Sequence, residues 1–215
     1  MKKVGVLGSG IVGRVLSAGF LQHGYQVMIG TSNPSKLDEW LGKDGAGATV
    51  GTFKETAEHG EVLVLAVKGS AAKPALEKIG EQHLENKTII DATNPIADQP
   101  PANGVINFFT DLNQSLMEQL QEALPQAHFV KAFNSIGNAY MVNPDFGGEK
   151  PTMFICGNDG KAKEEVTDIL TQFGWETEDM GTAEAARAIE PLCILWCIPG
   201  FLRGQWNHAF KLLKA

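Results

Sequence analysis

The stretch "KVGVLGSGIVGRVLSAGFLQHG", residues 3–24, decides the fold. An apolar run, KVGVLG (3–8), breaks into GSGIVG (8–13), and apolar residues then recur at helical spacing as far as Gly24. The order is strand, G-x-G-x-x-G turn, helix. Glycine is common, so the pattern gains its meaning from the strand before it and the helix after it. Gly8 permits the tight turn, Gly10 lets the backbone approach a pyrophosphate, and Gly13 lets helix and strand pack closely. The helix start offers unpaired N–H groups and a partial positive charge to phosphates. Gly8, Ser9, Gly10, Ile11, Val12 and Gly13 are therefore candidate cofactor-binding residues.

Outward from this core the alternation continues. YQVMIG (25–30) reads as a second strand, and NPSKLDEWLG (33–42) as a helix with Asn33 as N-cap and Pro34 at its first position. ATVG (48–51), EVLVLAV (61–67) and KTIIDAT (87–93) read as further strands separated by helical connectors. Strands apolar on both faces, alternating with helices, imply a Rossmann-type α/β fold: a parallel sheet with helices on both faces. Residues 92–110, rich in Pro, Asn and Asp, form a long irregular connection of the kind that borders a ligand site. Helix (111–125), strand (128–134), strand (151–157), helix (159–174) and strand (175–181) follow. From Thr182 the last 34 residues read as helical, with a break at IPG (198–200). The expected organisation is a nucleotide-binding domain over 1–181 and a small helical C-terminal lobe over 182–215, forming an acceptor pocket or a dimer contact.

The second strand ends where a dinucleotide-binding fold usually places an acid to hold the adenosine ribose. That position is Thr31, eighteen residues after Gly13, within IGTSNPSK (29–36). A carboxylate there would accept from both ribose hydroxyls and repel a 2′-phosphate; no acid is present. Thr31, Ser32 and Asn33 supply hydroxyls and an amide, and Lys36 a positive charge, so NADP(H) is expected over NAD(H). Ala66, Val67 and Lys68 end a strand at the same sheet edge, and Asn94 and Pro95 end the next. In VKAFNSIG (130–137), Ala132, Phe133 and Asn134 suit the wall beneath a nicotinamide ring.

Composition narrows the remaining choices. Of 215 residues, 43% are hydrophobic and 20% charged, as in an ordinary globular protein, and the net charge of −7 argues against nucleic acid or an acidic membrane surface as partner. No uninterrupted apolar run approaches the roughly 18 residues of a membrane span. The N-terminus reads as a first strand rather than a signal peptide, and a cytoplasmic location is expected. Cys156, Cys193 and Cys197 are too few and scattered for a disulfide framework; Cys193 and Cys197, without a histidine beside them, read as core packing rather than metal ligands. His23, His59, His83, His128 and His208 show no acid or serine partner in the sequence. No catalytic or metal-binding residue is expected, so the chemistry needs no dedicated proton donor.

Taken together, GVLGSGIVG, IGTSNPSK, DATNP, VKAFNSIG and MFICGNDGKAKEEVTDILTQFGW resemble the NADPH-dependent coenzyme F420 reductases, or F420H2:NADP oxidoreductases. The chain is similar also to the cytosolic NADPH-binding domain of the STEAP metalloreductases, especially through MGTAEAARAIEPL (180–192). The resemblance runs from about residue 3 to 195. It implies direct hydride transfer between nicotinamide and a deazaflavin or flavin ring, with F420, FMN or FAD as the second substrate. It also implies that Thr31, Ser32 and Lys36 hold the 2′-phosphate and that Ala132 lies near the nicotinamide. Trp196, Phe201 and Trp206 are candidates for the second ring's wall, with an apolar homodimer contact as the competing reading. Two other functions fit the residues: an NADP(H)-binding redox sensor without turnover, and a small imine or hydroxy-acid reductase of the pyrroline-5-carboxylate reductase type.

Overall fold

A computed structural model describes all 215 residues. Six parallel strands form the main sheet: β1 (Lys3–Leu7), β2 (Gln26–Gly30), β3 (Thr49–Gly51), β4 (Val62–Leu65), β5 (Thr88–Asp91) and β6 (His128–Lys131). Their spatial order, β3-β2-β1-β4-β5-β6, reverses direction between β1 and β4. This reversal opens a crevice at the carboxyl ends of the strands, where open α/β sheets bind ligands. β7 (Thr152–Ile155) and β8 (Glu176–Asp179) pair in parallel as a second, two-stranded sheet. An antiparallel bridge from Lys131 to Cys156 joins it to the β6 edge.

Successive residues of the central strands point to opposite faces, and both faces are buried. Val62 and Val64 of β4, Ile90 of β5 and Val130 of β6 enter one core layer, with Phe20, Phe173 and Trp175. Leu63, Leu65, Ile89 and Phe129 enter the other, with Leu76, Met117 and Leu120. This is why the strands read as continuous apolar runs. The helices covering the sheet include α1 (Ile11–Gln22), α2 (Asp38–Leu41), α3 (Phe53–His59), α4 (Gly69–Ile79), α5 (Leu116–Ala123) and α6 (Gly160–Gln172). The chain ends through α7 (Ala186–Ile189) and α8 (Leu192–Arg203).

Three expectations change. Residues 33–42 are not one helix but a 3₁₀ turn, Pro34–Leu37, followed by the single turn of α2, and the Asn33 side chain caps no backbone N–H. A longer helix is stopped by Gly42 and by the chain folding Gly45 against the Trp40 ring, where a Cβ would lie 2.4 Å from a ring carbon. The break at 198–200 is absent: α8 runs through Pro199 and ends only at Gly204, left-handed at φ +66°, whose N–H donates to the Gly200 carbonyl. Beyond it residues 204–215 have no regular secondary structure rather than being helical, and Thr152 of β7 donates its N–H to the Phe210 carbonyl (2.9 Å). The helical run Ala183–Arg203, at 21 residues, is also long and apolar enough to cross a membrane by length and composition, although no single apolar stretch in the sequence suggested it. Ala183, Ala186 and Ile189 nevertheless belong to the same core layer as Leu63 and Phe129, so the packing is continuous across residue 182.

The tie between these C-terminal helices and the sheet is ionic. Lys131, Asp91 and Glu190 are all but fully buried, and the Lys131 ammonium lies 2.6 Å from Asp91 and 3.0 Å from Glu190. It also donates to the Thr93 carbonyl (3.0 Å), while Asp91 accepts from the Thr93 N–H and hydroxyl. Glu190 in turn accepts from the N–H groups of Leu116 and Met117 (3.0 Å each) at the start of α5. Ser115 and Glu118 complete that helix start as a capping box, and Arg187 pairs with Glu118. Burial alone would lower the Lys131 pKa, but the two carboxylates more than offset it and hold the value above the ordinary 10.5.

Lys131→Met leaves two neighbouring carboxylates buried without a cation, and is expected to lower the unfolding free energy in a urea titration by about 3–5 kcal/mol. Because the folded-state pKa is raised, the wild-type contribution is fully present below pH 10.5 and is lost as pH rises through the folded value. Stability measured across alkaline pH should therefore fall more steeply in wild type than in the variant.

Candidate functional site

At the carboxyl end of β1 the chain turns at Gly8, with φ +124°, a conformation that favours glycine. A Cβ on Gly8 would lie 2.3 Å from the Ala66 carbonyl oxygen at the end of β4, and one on Gly13 would lie 1.9 Å from the Gly8 carbonyl oxygen. These two glycines are required by packing within the protein. Gly10 is different: it has extended backbone, and a Cβ there would meet nothing within 4 Å. The N–H groups of Gly10, Ile11, Val12 and Gly13 find no acceptor in the protein. Four donors thus converge at the start of a twelve-residue helix beside open space, an arrangement that fits a pyrophosphate.

Around Thr31 the donors are already engaged. The buried Thr31 hydroxyl accepts from the Ser9 hydroxyl (2.8 Å) and the Asn33 N–H (3.1 Å) and donates to the Asn33 carbonyl (3.3 Å). The Asn33 amide oxygen accepts from the Ser35 hydroxyl (2.8 Å). Thr31 and Asn33 therefore shape the turn, while Ser32 is exposed and its hydroxyl uncommitted. Thr31 and Ser32 form one wall of a groove of about 410 Å³, with Thr52 and Phe53 of the β3–α3 junction beside them. The opposite wall is one face of α4: Ala71, Pro74, Ala75 and Lys78. Lys36, exposed on the 3₁₀ turn, is not part of this lining.

A second groove, of about 280 Å³, lies between the ends of β4 and β5. Val67, Lys68 and Gly69 line one side and Ala92, Thr93 and Asn94 the other. Lys68 and Asp98 face each other at 3.7 Å, but both are over 80% exposed, so their pairing contributes little. The Asn94 amide donates to the Asn134 carbonyl (2.8 Å), leaving one N–H for a ligand. Gly69 is forced by close approach, since its Cβ would lie 2.1 Å from the Asn94 carbonyl oxygen.

The remaining expected positions lie deeper. Ala66, Pro95, Ala132, Phe133 and Asn134 are buried. Phe133, left-handed at φ +62°, packs toward Phe173 in the core rather than presenting a ring to a ligand, because the chain reverses there to start toward β7. Asn134 holds Asn94 and the Ile189 carbonyl (2.9 Å) and so joins the groove to α7. Trp196 is buried, stacked on His208 (5.0 Å) and beside Trp206 (5.5 Å), while Phe201 meets Trp206 edge-on (5.2 Å); these aromatics are engaged with one another. The Cys193 thiol is hydrogen-bonded to Cys197, which raises the Cys193 pKa and lowers that of Cys197. His83 does face an acid, Glu58, at 3.3 Å, but α3 ends at the opposite edge of the sheet from both grooves.

The α4 wall and the Asp91–Lys131–Glu190 cluster were not anticipated. Ala71, Pro74, Ala75 and Lys78 recur at i, i+3, i+4 and i+7, a legible helix face whose opposite wall only the fold supplies. The cluster's signal was the charge closing each of two apolar strands, TIID and HFVK.

Comparison with known proteins agrees with this geometry. Residues 3–95 match the family described as NADP oxidoreductase, coenzyme F420-dependent. The crystal structure of a candidate F420-dependent NADP-reductase from Arthrobacter sp. FB24 superposes with a TM-score of 0.91 at 30% identity, covering 100% of both chains. The metalloreductase STEAP3 of Rattus norvegicus is 30% identical over 93% of this chain, which spans only 39% of that protein. The F420-dependent NADP reductase of Methanocaldococcus jannaschii is 26% identical over 65% of this chain and 61% of its own length.

Gly10→Ala and Gly13→Ala should separate ligand space from packing. Gly13→Ala is expected to cost about 1–3 kcal/mol of stability by overpacking. Gly10→Ala should change thermal stability little yet weaken nucleotide binding at least about tenfold, because its methyl occupies the pyrophosphate's approach. Differential scanning fluorimetry with and without NADPH reads both effects.

Proposed function

Because this chain belongs to the coenzyme F420-dependent NADP oxidoreductase family, we propose that it passes a hydride between NADP(H) and a planar ring acceptor, coenzyme F420 or a flavin. The observation carrying this reading is the pairing of the Gly10 cradle with a ribose-end groove that has no carboxylate on its Thr31–Ser32 wall. The N–H groups at the start of α1 hold the pyrophosphate. Ser32 and the turn shaped by Thr31 receive the 2′-phosphate, and Val67 and Asn94 border the nicotinamide end. The nicotinamide supplies hydride chemistry when bound; the protein's part is to bind and orient it and to bring a second ring alongside. A hydride passing between two rings calls for no general acid–base pair, in keeping with a nicotinamide-end groove whose only charged residues are the exposed Lys68 and Asp98.

Steady-state NADPH oxidation by the purified protein with F420, FMN and FAD tests the assignment: turnover with at least one acceptor is expected. Tight NADPH binding without turnover on any of them would favour a nucleotide-binding sensor instead. Thr31→Asp should raise the NADPH KM at least about tenfold while NADH improves or holds. The new carboxylate can still accept from Ser9 and from the Asn33 N–H but can no longer donate to the Asn33 carbonyl, so a melting temperature for the variant is measured beside its kinetics.

A further inference from the structure

We propose that Lys78, at the far end of α4, is a specificity-determining residue: its ammonium faces the adenosine 2′-phosphate across the groove and selects NADPH over NADH. The inference rests on the NADP(H) reading above and adds a residue remote in sequence from the glycine turn and the β2 turn.

The argument begins with charge. The groove wall formed by Thr31 and Ser32 lacks an acid, which permits a dianionic phosphate but does not by itself attract one. In a chain of net charge −7, discrimination in favour of two extra negative charges needs a nearby cation. Of the lysines in this region, Lys43, Lys54 and Lys68 each have a carboxylate within 4 Å: Glu39, Glu58 and Asp98. Lys36 lies outside the groove lining. Lys78 lines the groove and has no carboxylate within 4 Å.

The helix places it there by its period. Ala71, Pro74, Ala75 and Lys78 form one stripe, with small or apolar side chains for two turns and then a single long cation. From Ala71 to Lys78 the rise is about 10 Å, the scale of an adenosine. The apolar part of the stripe and Phe53 form walls suited to a purine, and the ammonium closes the end. Pro74 lacks an N–H, so the Ser70 carbonyl one turn earlier loses its i+4 helix partner.

A lysine in the last turn of a helix also stabilises the helix dipole. That role would not distinguish two nucleotides, so the test reads their ratio. Dissociation constants for NADPH, NADH, 2′,5′-ADP and 5′-AMP are measured by calorimetry on wild type, Lys78→Gln, Lys78→Arg and, as a control on another face of α4, Lys73→Gln. Lys78→Gln should weaken NADPH and 2′,5′-ADP about tenfold and change NADH and 5′-AMP less than about twofold. Lys78→Arg should retain the preference, and Lys73→Gln should match wild type. Unchanged NADPH affinity in Lys78→Gln, or equal losses for both nucleotides, overturns the proposal. Wild-type protein that binds neither nucleotide would instead remove the NADP(H) reading beneath it, and a wild type that binds both equally would remove the selectivity itself.

Discussion

A single buried ammonium organises the half of the molecule that sequence patterning organises least. Lys131 ends the last strand of the main sheet, Asp91 ends its neighbour, and Glu190 comes from the C-terminal helices, so one cation fixes three elements at once. The cluster carries one excess negative charge, which is met by the N–H groups of Leu116 and Met117 at the start of α5. Such a site is costly to desolvate and tolerable only when every oxygen has a partner. Glu190 alone reaches both Lys131 and the N–H groups at the head of α5, so one carboxylate sets where α7 sits against the sheet.

The consequence for the site is indirect but physical. Asp91 holds Thr93, which lines the nicotinamide-end groove, and Asn134 ties Asn94 to the Ile189 carbonyl next to Glu190. The irregular segment after β5 is thus pinned at its root by the cluster, while antiparallel bridges of its own, Ile96 to Phe108 and Ala102 to Val105, hold it farther out. The pyrophosphate turn, by contrast, needs nothing from the C-terminal helices, since its shape follows from contacts among β1, α1 and the end of β4.

This division matches what could be read from the residues. Strands apolar on two faces and a glycine turn between strand and helix are local patterns, and they located β1, β2, β4, β5 and the phosphate turn. Thr31 was recognised as the ribose-end position, but its hydroxyl is spent on Ser9 and Asn33, a use that only the folded turn reveals. The α4 wall was hidden because helical spacing says which residues share a face and not what that face meets. The tail misled for another reason: Pro199 marks a helix end when the surroundings are unknown, yet here the helix continues to Gly204, and Trp206 folds back over Gly200.

The antiparallel bridge that adds β7 and β8 beyond β6 bears on how this molecule behaves when crowded with its own copies. Without that addition β6 would be an open, apolar border able to recruit a strand from a neighbour. Instead the outermost strand is β8, carrying Glu176, Glu178 and Asp179, two of them neutralised by Lys211 and Lys214 of the tail that runs beside β7. The opposite border, β3, is only three residues long. Short or charged borders resist edge-to-edge polymerisation; loss of the tail would leave β8 more negative, but it would free the Thr152 N–H of β7 from the Phe210 carbonyl and so open that edge to a strand from a neighbour.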